Sequence, residues 1–178
     1  MMMTWKPIPS SDEDAFAAIK ADIDALPPGA KILLSQQRCV VLHSTLQIPP
    51  THATLSGEFY GQGCTVANLK LVARFFEKYA DRAFLSVKGG CVPGKLDVDG
   101  SRENLRRSVD DIIKTLDGKK TLDLFQPARR DPNYEIEHYA GVLNKMHKEG
   151  KFDYIGLSEV GAATVRRAHK VRNFFFFV

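Results

Sequence analysis

Ala83-Phe84-Leu85-Ser86-Val87-Lys88-Gly89-Gly90 is a short apolar run that ends in a lysine and two glycines. It is too short for a helix of its own, and its near-continuous apolar character is that of a parallel strand buried on both faces. Two runs of the same kind follow, Thr121-Leu122-Asp123-Leu124-Phe125 and Tyr154-Ile155-Gly156-Leu157-Ser158. Helical periods stand between them. Residues 66–79 carry a stripe of Leu69, Val72, Phe75, Phe76 and Tyr79, and Ser101 is an N-cap ahead of Leu105, Val109, Ile112 and Leu116. After Pro132 the stripe is Ile136, Tyr139, Leu143 and Met146, with a stop at Gly150; residues 162–171 form a shorter, more basic helix. Strands that alternate with helices build βα units around a parallel sheet, so the fold class is α/β.

Upstream, Ser10 and Glu13 have capping-box spacing before Phe16, Ile19, Ile23 and Leu26, and Pro27-Pro28-Gly29 ends that helix. Residues 30–55 break the rhythm: Ile32-Leu33-Leu34 and Val40-Val41-Leu42 are apolar, but no helical or strand period holds across them and Pro49-Pro50. The run Asn173-Phe174-Phe175-Phe176-Phe177-Val178 is bare and aromatic. A strand there needs a neighbour, and left exposed it is an aggregation hazard.

The 178 residues are 44% hydrophobic, enough for a real core, so a disordered chain is excluded. No apolar run approaches the roughly 20 residues of a membrane-spanning helix. The start leads into an acidic stretch and not an apolar one, so no secretory signal and no membrane partner are expected. Cys39, Cys64 and Cys91 have no CxxC spacing and read as reduced thiols of a cytoplasmic protein, not as a disulfide framework or a metal site. The net charge of +4 is spread among acids, which argues against nucleic acid. The densest basic cluster, Arg166, Arg167, His169, Lys170 and Arg172, reads as a solvated helix face, with a nucleotide phosphate as the other partner such charge would suit.

There is no P-loop, no GxGxxG and no HExxH. Lys88 ends a buried strand, at the rim where α/β active sites form, and Tyr60 sits beside Gly57 and Gly61 just before a helix. A lysine ammonium near a tyrosine hydroxyl lowers its pKa and suits it to proton transfer. The competing reading is a snorkelling lysine and a half-buried packing tyrosine.

Several segments in order carry a resemblance. Gly57-Glu58-Phe59-Tyr60-Gly61, residues 68–79, Leu85-Ser86-Val87-Lys88-Gly89-Gly90, Asp99-Gly100-Ser101-Arg102-Glu103-Asn104, Asp123-Leu124-Phe125-Gln126-Pro127-Ala128-Arg129 and Ile155-Gly156-Leu157-Ser158-Glu159-Val160 resemble the aldo-keto reductases, most of all their fungal pyridoxal reductase branch. Thr4-Trp5-Lys6-Pro7 and residues 12–26 are similar to that branch too. The resemblance implies a (β/α)₈ TIM barrel and NADPH-dependent reduction of an aldehyde or ketone, with pyridoxal as the substrate. It implies that Tyr60 donates the proton and Lys88 assists it, and that Ser158 and Glu159 stand where a Ser-Asn pair holds the nicotinamide carboxamide. The family's Asp partner of the Lys falls on Leu55, so another carboxylate such as Glu58 would have to serve. Its orienting His falls on Ala128, and the pyridoxal reductase branch is similar in lacking that His.

Measured against that family, the chain is expected to be a partial barrel, since a complete one takes roughly 250 residues and about five βα units are legible. Residues 27–55 read as an atypical insertion and residues 173–178 as an atypical tail, either foreign to the domain or a genuine variation of it. The alternative function is a catalytically inactive barrel fragment, or a binding module that completes its sheet with another chain; the oligomeric state is left open by the sequence.

Overall fold

The computed structural model describes residues 4, 7–24, 32–34, 39–41, 52–79, 83–171 and 176–177. Among them α1 (Asp12–Asp24) comes first. Its cap lies one residue later than the sequence spacing indicates: Ser11 Oγ accepts from Asp14 N at 3.1 Å and donates to Asp14 Oδ2 at 2.7 Å. Asp14 closes this reciprocal cap, and Glu13 takes no part in it. Ile19 is buried and Phe16 packs edge-on against Phe75 of the next helix, 5.6 Å between ring centroids. Arg74 grips Asp12 with two hydrogen bonds of 2.6 Å and ties the two helices together. The side chains of Ile23 and Leu26, the stop at Pro27-Pro28-Gly29, Pro49-Pro50, Trp5, Arg172 and residues 173–175 lie outside the described residues.

The strands are β1 (Ile32–Leu34), β2 (Cys39–Val41), β3 (His52–Gly57), β4 (Ala83–Gly89), β5 (Leu124–Pro127), β6 (Tyr154–Gly156) and β7 (Phe176–Phe177). Those described strands form one sheet in the order β2-β1-β3-β4-β5-β6-β7. β1 and β2 pair antiparallel; every other neighbouring pair is parallel. Three strands thus fall in the region where the sequence shows no period. β1 and β2 are three residues each, too short to display one, and β3 begins inside the stretch 27–55 and runs in full register beside β4. The aromatic tail also finds its neighbour, with Phe176 opposite Ile155 and Phe177 opposite Gly156.

The helices α2 (Ala67–Tyr79), α3 (Arg102–Leu116), α4 (Ile136–Lys148) and α5 (Ala162–Val171) follow the expected stripes. Leu69, Val72, Phe75, Phe76, Leu105, Val109, Ile112, Leu116, Ile136, Tyr139, Leu143 and Met146 are all buried. They pack in one core with Leu85, Val87, Phe125 and Ile155 from the outer face of the sheet. Ser101 caps α3 by accepting from Asn104 N at 3.2 Å. β5 starts three residues later than the apolar run Thr121–Phe125, because Asp123 is a joint and not a ladder residue. Its carboxylate accepts from Leu85 N at 2.5 Å, and its carbonyl accepts from Asp153 N and Tyr154 N.

Alternation puts Phe84, Ser86 and Lys88 on the inner face of β4. Phe84 meets Tyr154 there with ring centroids 5.6 Å apart, and Ser86 Oγ accepts from Gln126 Nε2 at 3.3 Å. The C-terminal ends of β3, β4, β5 and β6 therefore form one rim. No helix among the described residues is long and apolar enough to cross a membrane.

Candidate active site

Tyr60 reaches the rim by a tight turn off the end of β3. Gly57 is the register partner of Lys88, Glu58 N donates to Lys88 O at 2.8 Å, and Tyr60 N donates to Gly57 O at 3.4 Å. The turn folds the Tyr60 ring back over Gly57, so closely that a Cβ there would lie 2.6 Å from three ring carbons. From the other side Thr4 Oγ1 donates to Tyr60 O at 2.7 Å, and Gln62 N donates to Thr4 O at 2.9 Å. Thr4 itself is buried.

Lys88 is half-buried near the end of β4, opposite Gln126 of β5. The position expected for its acidic partner, Leu55, lies on β3 in regular register with Ser86. The strand is in place; the residue on it is not ionisable. Glu58 does not substitute. Its carboxylate is held by Arg107 Nη1 at 2.6 Å and by Ser108 Oγ at 2.6 Å, both from α3. Among the described residues Lys88 has no ion-pair partner.

Ser158 and Glu159 lie just past β6, which ends at Gly156, two residues earlier than the apolar run. Glu159 has a left-handed backbone, φ 56°. Its carboxylate accepts from Arg129 Nε at 2.7 Å, and Arg129 follows the end of β5. Ala128 N, one residue before, donates to Gly89 O at 2.8 Å and locks the β5 loop to the end of β4. The Arg129–Glu159 pair thus spans the mouth of the rim, with both side chains largely in solvent.

These charges act on both candidate residues. Burial pushes the Tyr60 hydroxyl above its ordinary value; Cys91 and Glu159 add to this and Arg129 opposes it. Burial pulls the Lys88 ammonium down, with Glu159 opposing and Arg129 adding. The lowering of Tyr60 by Lys88 that the sequence suggests is therefore not what this arrangement produces: burial leads, Cys91 and Glu159 push the same way, only Arg129 opposes, and Lys88 is not among the causes. Tyr60, Lys88, Glu159 and Arg129 share one electrostatic neighbourhood; Ser158 is half-buried at its border.

Arg107, Ser108, Arg129 and Thr4 carry much of the geometry and were not singled out by sequence reasoning. The signal for Ser108 is the doublet Gly89-Gly90. A Cβ on Gly89 would overlap the Ser108 hydroxyl, and Gly90 has φ +80°. No group of three or more His, Cys, Asp or Glu suited to a metal occurs among the described residues.

The sequence profile of the aldo/keto reductase family matches residues 56–176. The probable pyridoxal reductase 2 of Schizosaccharomyces pombe is 44% identical over 116 residues, which are 64% of this chain and 35% of that protein. An uncharacterized oxidoreductase of the same yeast is 40% identical over 119 residues, 65% of this chain and 36% of its own length. The chain thus spans about a third of the curated relatives it matches. Among solved structures, a thermostable aldo-keto reductase crystallised with epalrestat superposes with a TM-score of 0.65 at 19% identity, over 97% of this chain and 51% of that one. The glycerol dehydrogenase of Gluconobacter oxydans superposes with a TM-score of 0.68 at 20% identity, over 97% and 47%. Both likenesses speak for the fold, a partial α/β barrel. Fold, rim and profile agree: the chain belongs to the aldo/keto reductase family.

Proposed function

We propose that this chain carries the proton-donor half of an NADPH-dependent carbonyl reductase, acting on an aldehyde or ketone and by preference on pyridoxal in the cytoplasm. The observation that carries the reading is the seat of Tyr60: its ring lies on Gly57, the direct register partner of Lys88, at the C-terminal rim of a parallel sheet. The 44% identity to a probable pyridoxal reductase, and Ala128 where the wider family has a His, support the choice of substrate. The free thiols of Cys64 and Cys91 suit a reducing compartment.

The groups past β6 suit the carboxamide of a nicotinamide. Ser158 would bring a hydroxyl able to donate to the carboxamide oxygen. Glu159, one of whose oxygens is held by Arg129, would have its other oxygen to accept from the carboxamide N–H. NADPH, when bound, supplies the hydride that the carbonyl carbon receives. Tyr60 donates its hydroxyl proton to the carbonyl oxygen as charge develops there. Lys88, whose ammonium has no ion-pair partner among the described residues, would return a proton to Tyr60 and regain its own from solvent.

A second reading is favoured by one observation: among the described residues Lys88 has no carboxylate paired with it, and Leu55 stands at the place expected for one. Under it the chain is a barrel fragment that binds without turning over. Purified chain, pyridoxal and NADPH deuterated on the nicotinamide ring separate the two. Pyridoxine with one added deuterium, seen by mass spectrometry, is the expected product; unchanged pyridoxal and unchanged simple aromatic aldehydes would favour the fragment.

A further inference from the structure

We propose that Arg107 and Ser108 of α3 are positioning residues for the Tyr60 turn and the end of β4, acting through the buried carboxylate of Glu58. The proposal rests on the reading of Tyr60 as proton donor. Glu58 is 2% exposed and stands two residues before Tyr60. One of its oxygens accepts from Arg107 Nη1 and the other from Ser108 Oγ, each at 2.6 Å. Both α3 residues also hold the loop beyond Lys88. Arg107 Nη2 donates to Cys91 O at 2.7 Å, and Ser108 Oγ accepts from Gly90 N at 2.8 Å. Arg107 Nε is fixed in turn by Asn104 Oδ1 at 2.9 Å, and Asn104 Nδ2 donates to Gly90 O at 3.1 Å. The Arg107 guanidinium also covers the Phe59 ring, 5.9 Å from its centroid, which seats the residue directly before Tyr60.

Most arms of this network end on one of the two segments that present Tyr60 and Lys88; Arg107 Nη1 also donates to Asp111 Oδ2 at 3.0 Å within α3, and Asn104 Nδ2 to Asp99 O at 2.8 Å. An ion pair this buried adds little net stability over apolar packing, because desolvation offsets much of its attraction. What it adds is direction: two short charge-assisted bonds to one carboxylate fix the angle at which the turn leaves β3. The chain makes room for it at a cost in side chains. Gly89 is bare so that the Ser108 hydroxyl can enter, and Gly90 adopts φ +80° so that its N–H points at that hydroxyl. Through Ala128 N on Gly89 O the same hub reaches the loop of Arg129.

The test uses the full chain labelled with fluorotyrosine, the Tyr60 resonance being assigned by its loss in Tyr60→Phe. Ser108→Ala and Arg107→Lys are compared with the parent chain for the Tyr60 fluorine shift and for the kcat and KM of pyridoxal reduction. Both variants are expected to move the Tyr60 resonance and to lower kcat ~10- to 100-fold with the KM for NADPH unchanged. Arg107→Lys keeps a cation opposite Glu58 and is expected to retain more activity than Arg107→Met. A folded variant with the parent Tyr60 resonance and the parent kcat would overturn the proposal. If Ser108→Ala does not fold, Arg107→Lys decides it by the same criteria. If the parent chain reduces no carbonyl, the functional reading fails, yet the Tyr60 resonance still decides whether α3 positions the turn.

Discussion

The Tyr60 ring rests on the α-carbon of Gly57, with no room between them: a Cβ on Gly57 would stand 2.6 Å from Cδ1, Cδ2 and Cε2 of the ring. Gly57 is not among the residues with positive φ, so its backbone accepts a side chain and only the ring objects. Gly57→Ala is therefore expected to fold normally but to displace the Tyr60 hydroxyl, with loss of carbonyl reduction of about 100-fold. Circular dichroism and steady-state rates on the same preparation check both halves of that statement.

The two ion pairs near the rim are expected to differ sharply in stability. Arg107→Ala leaves the Glu58 carboxylate buried with Ser108 as its remaining partner, which should cost about 3 kcal/mol. Arg129→Ala removes a pair whose members are 62% and 57% exposed, and should cost no more than ~1 kcal/mol. Urea denaturation of both variants measures the contrast, and equal costs would mean that the Glu58 network carries no special weight.

The parallel core was legible because strands buried on both faces leave apolar runs and their helices leave stripes; Leu85, Val87, Phe125 and Ile155 are cases in point. β1 and β2 were not legible, since three residues cannot show a period. The rim position expected for Lys88 followed from a strand end, whereas Tyr60 was singled out only by its flanking glycines, the helix after it and the resemblance, because no strand was legible ahead of it. The Glu58 network did not. Its partners are 49 and 50 residues away, and nothing local to Glu58 says that α3 will arrive there. Nor does a sequence say which effect wins at Tyr60, where burial, joined by Cys91 and Glu159, outweighs Arg129.

Lys88 and Tyr60 predict opposite trends in alkaline stability. Lys88 is pulled below its ordinary value of 10.5, so the folded state binds fewer protons than the unfolded chain between its folded pKa and that value. Its contribution to stability therefore rises with pH across that window and is lost as pH falls through the folded pKa. Tyr60 is pushed above 10.0, so its contribution is fully present below that value and is lost as pH rises beyond it. Unfolding free energies measured against pH should show the Lys88 rise vanish in Lys88→Met and the Tyr60 decline vanish in Tyr60→Phe.

Cys91 should be inert. It is buried, and burial together with Glu58 pushes its thiol up to about 11, far from the thiolate that alkylating agents need. Brief iodoacetamide treatment near neutral pH, read by peptide mass spectrometry, is expected to leave Cys91 unmodified in the folded chain and to modify it in urea.

The central claim is that Tyr60 gives the proton in carbonyl reduction. Its most direct test is the rate of pyridoxal-dependent NADPH oxidation by the parent chain and by Tyr60→Phe, which removes one oxygen and leaves the ring on Gly57. A fall of about 100- to 10,000-fold is expected for the loss of a general acid; turnover by Tyr60→Phe at the parent rate would contradict the claim.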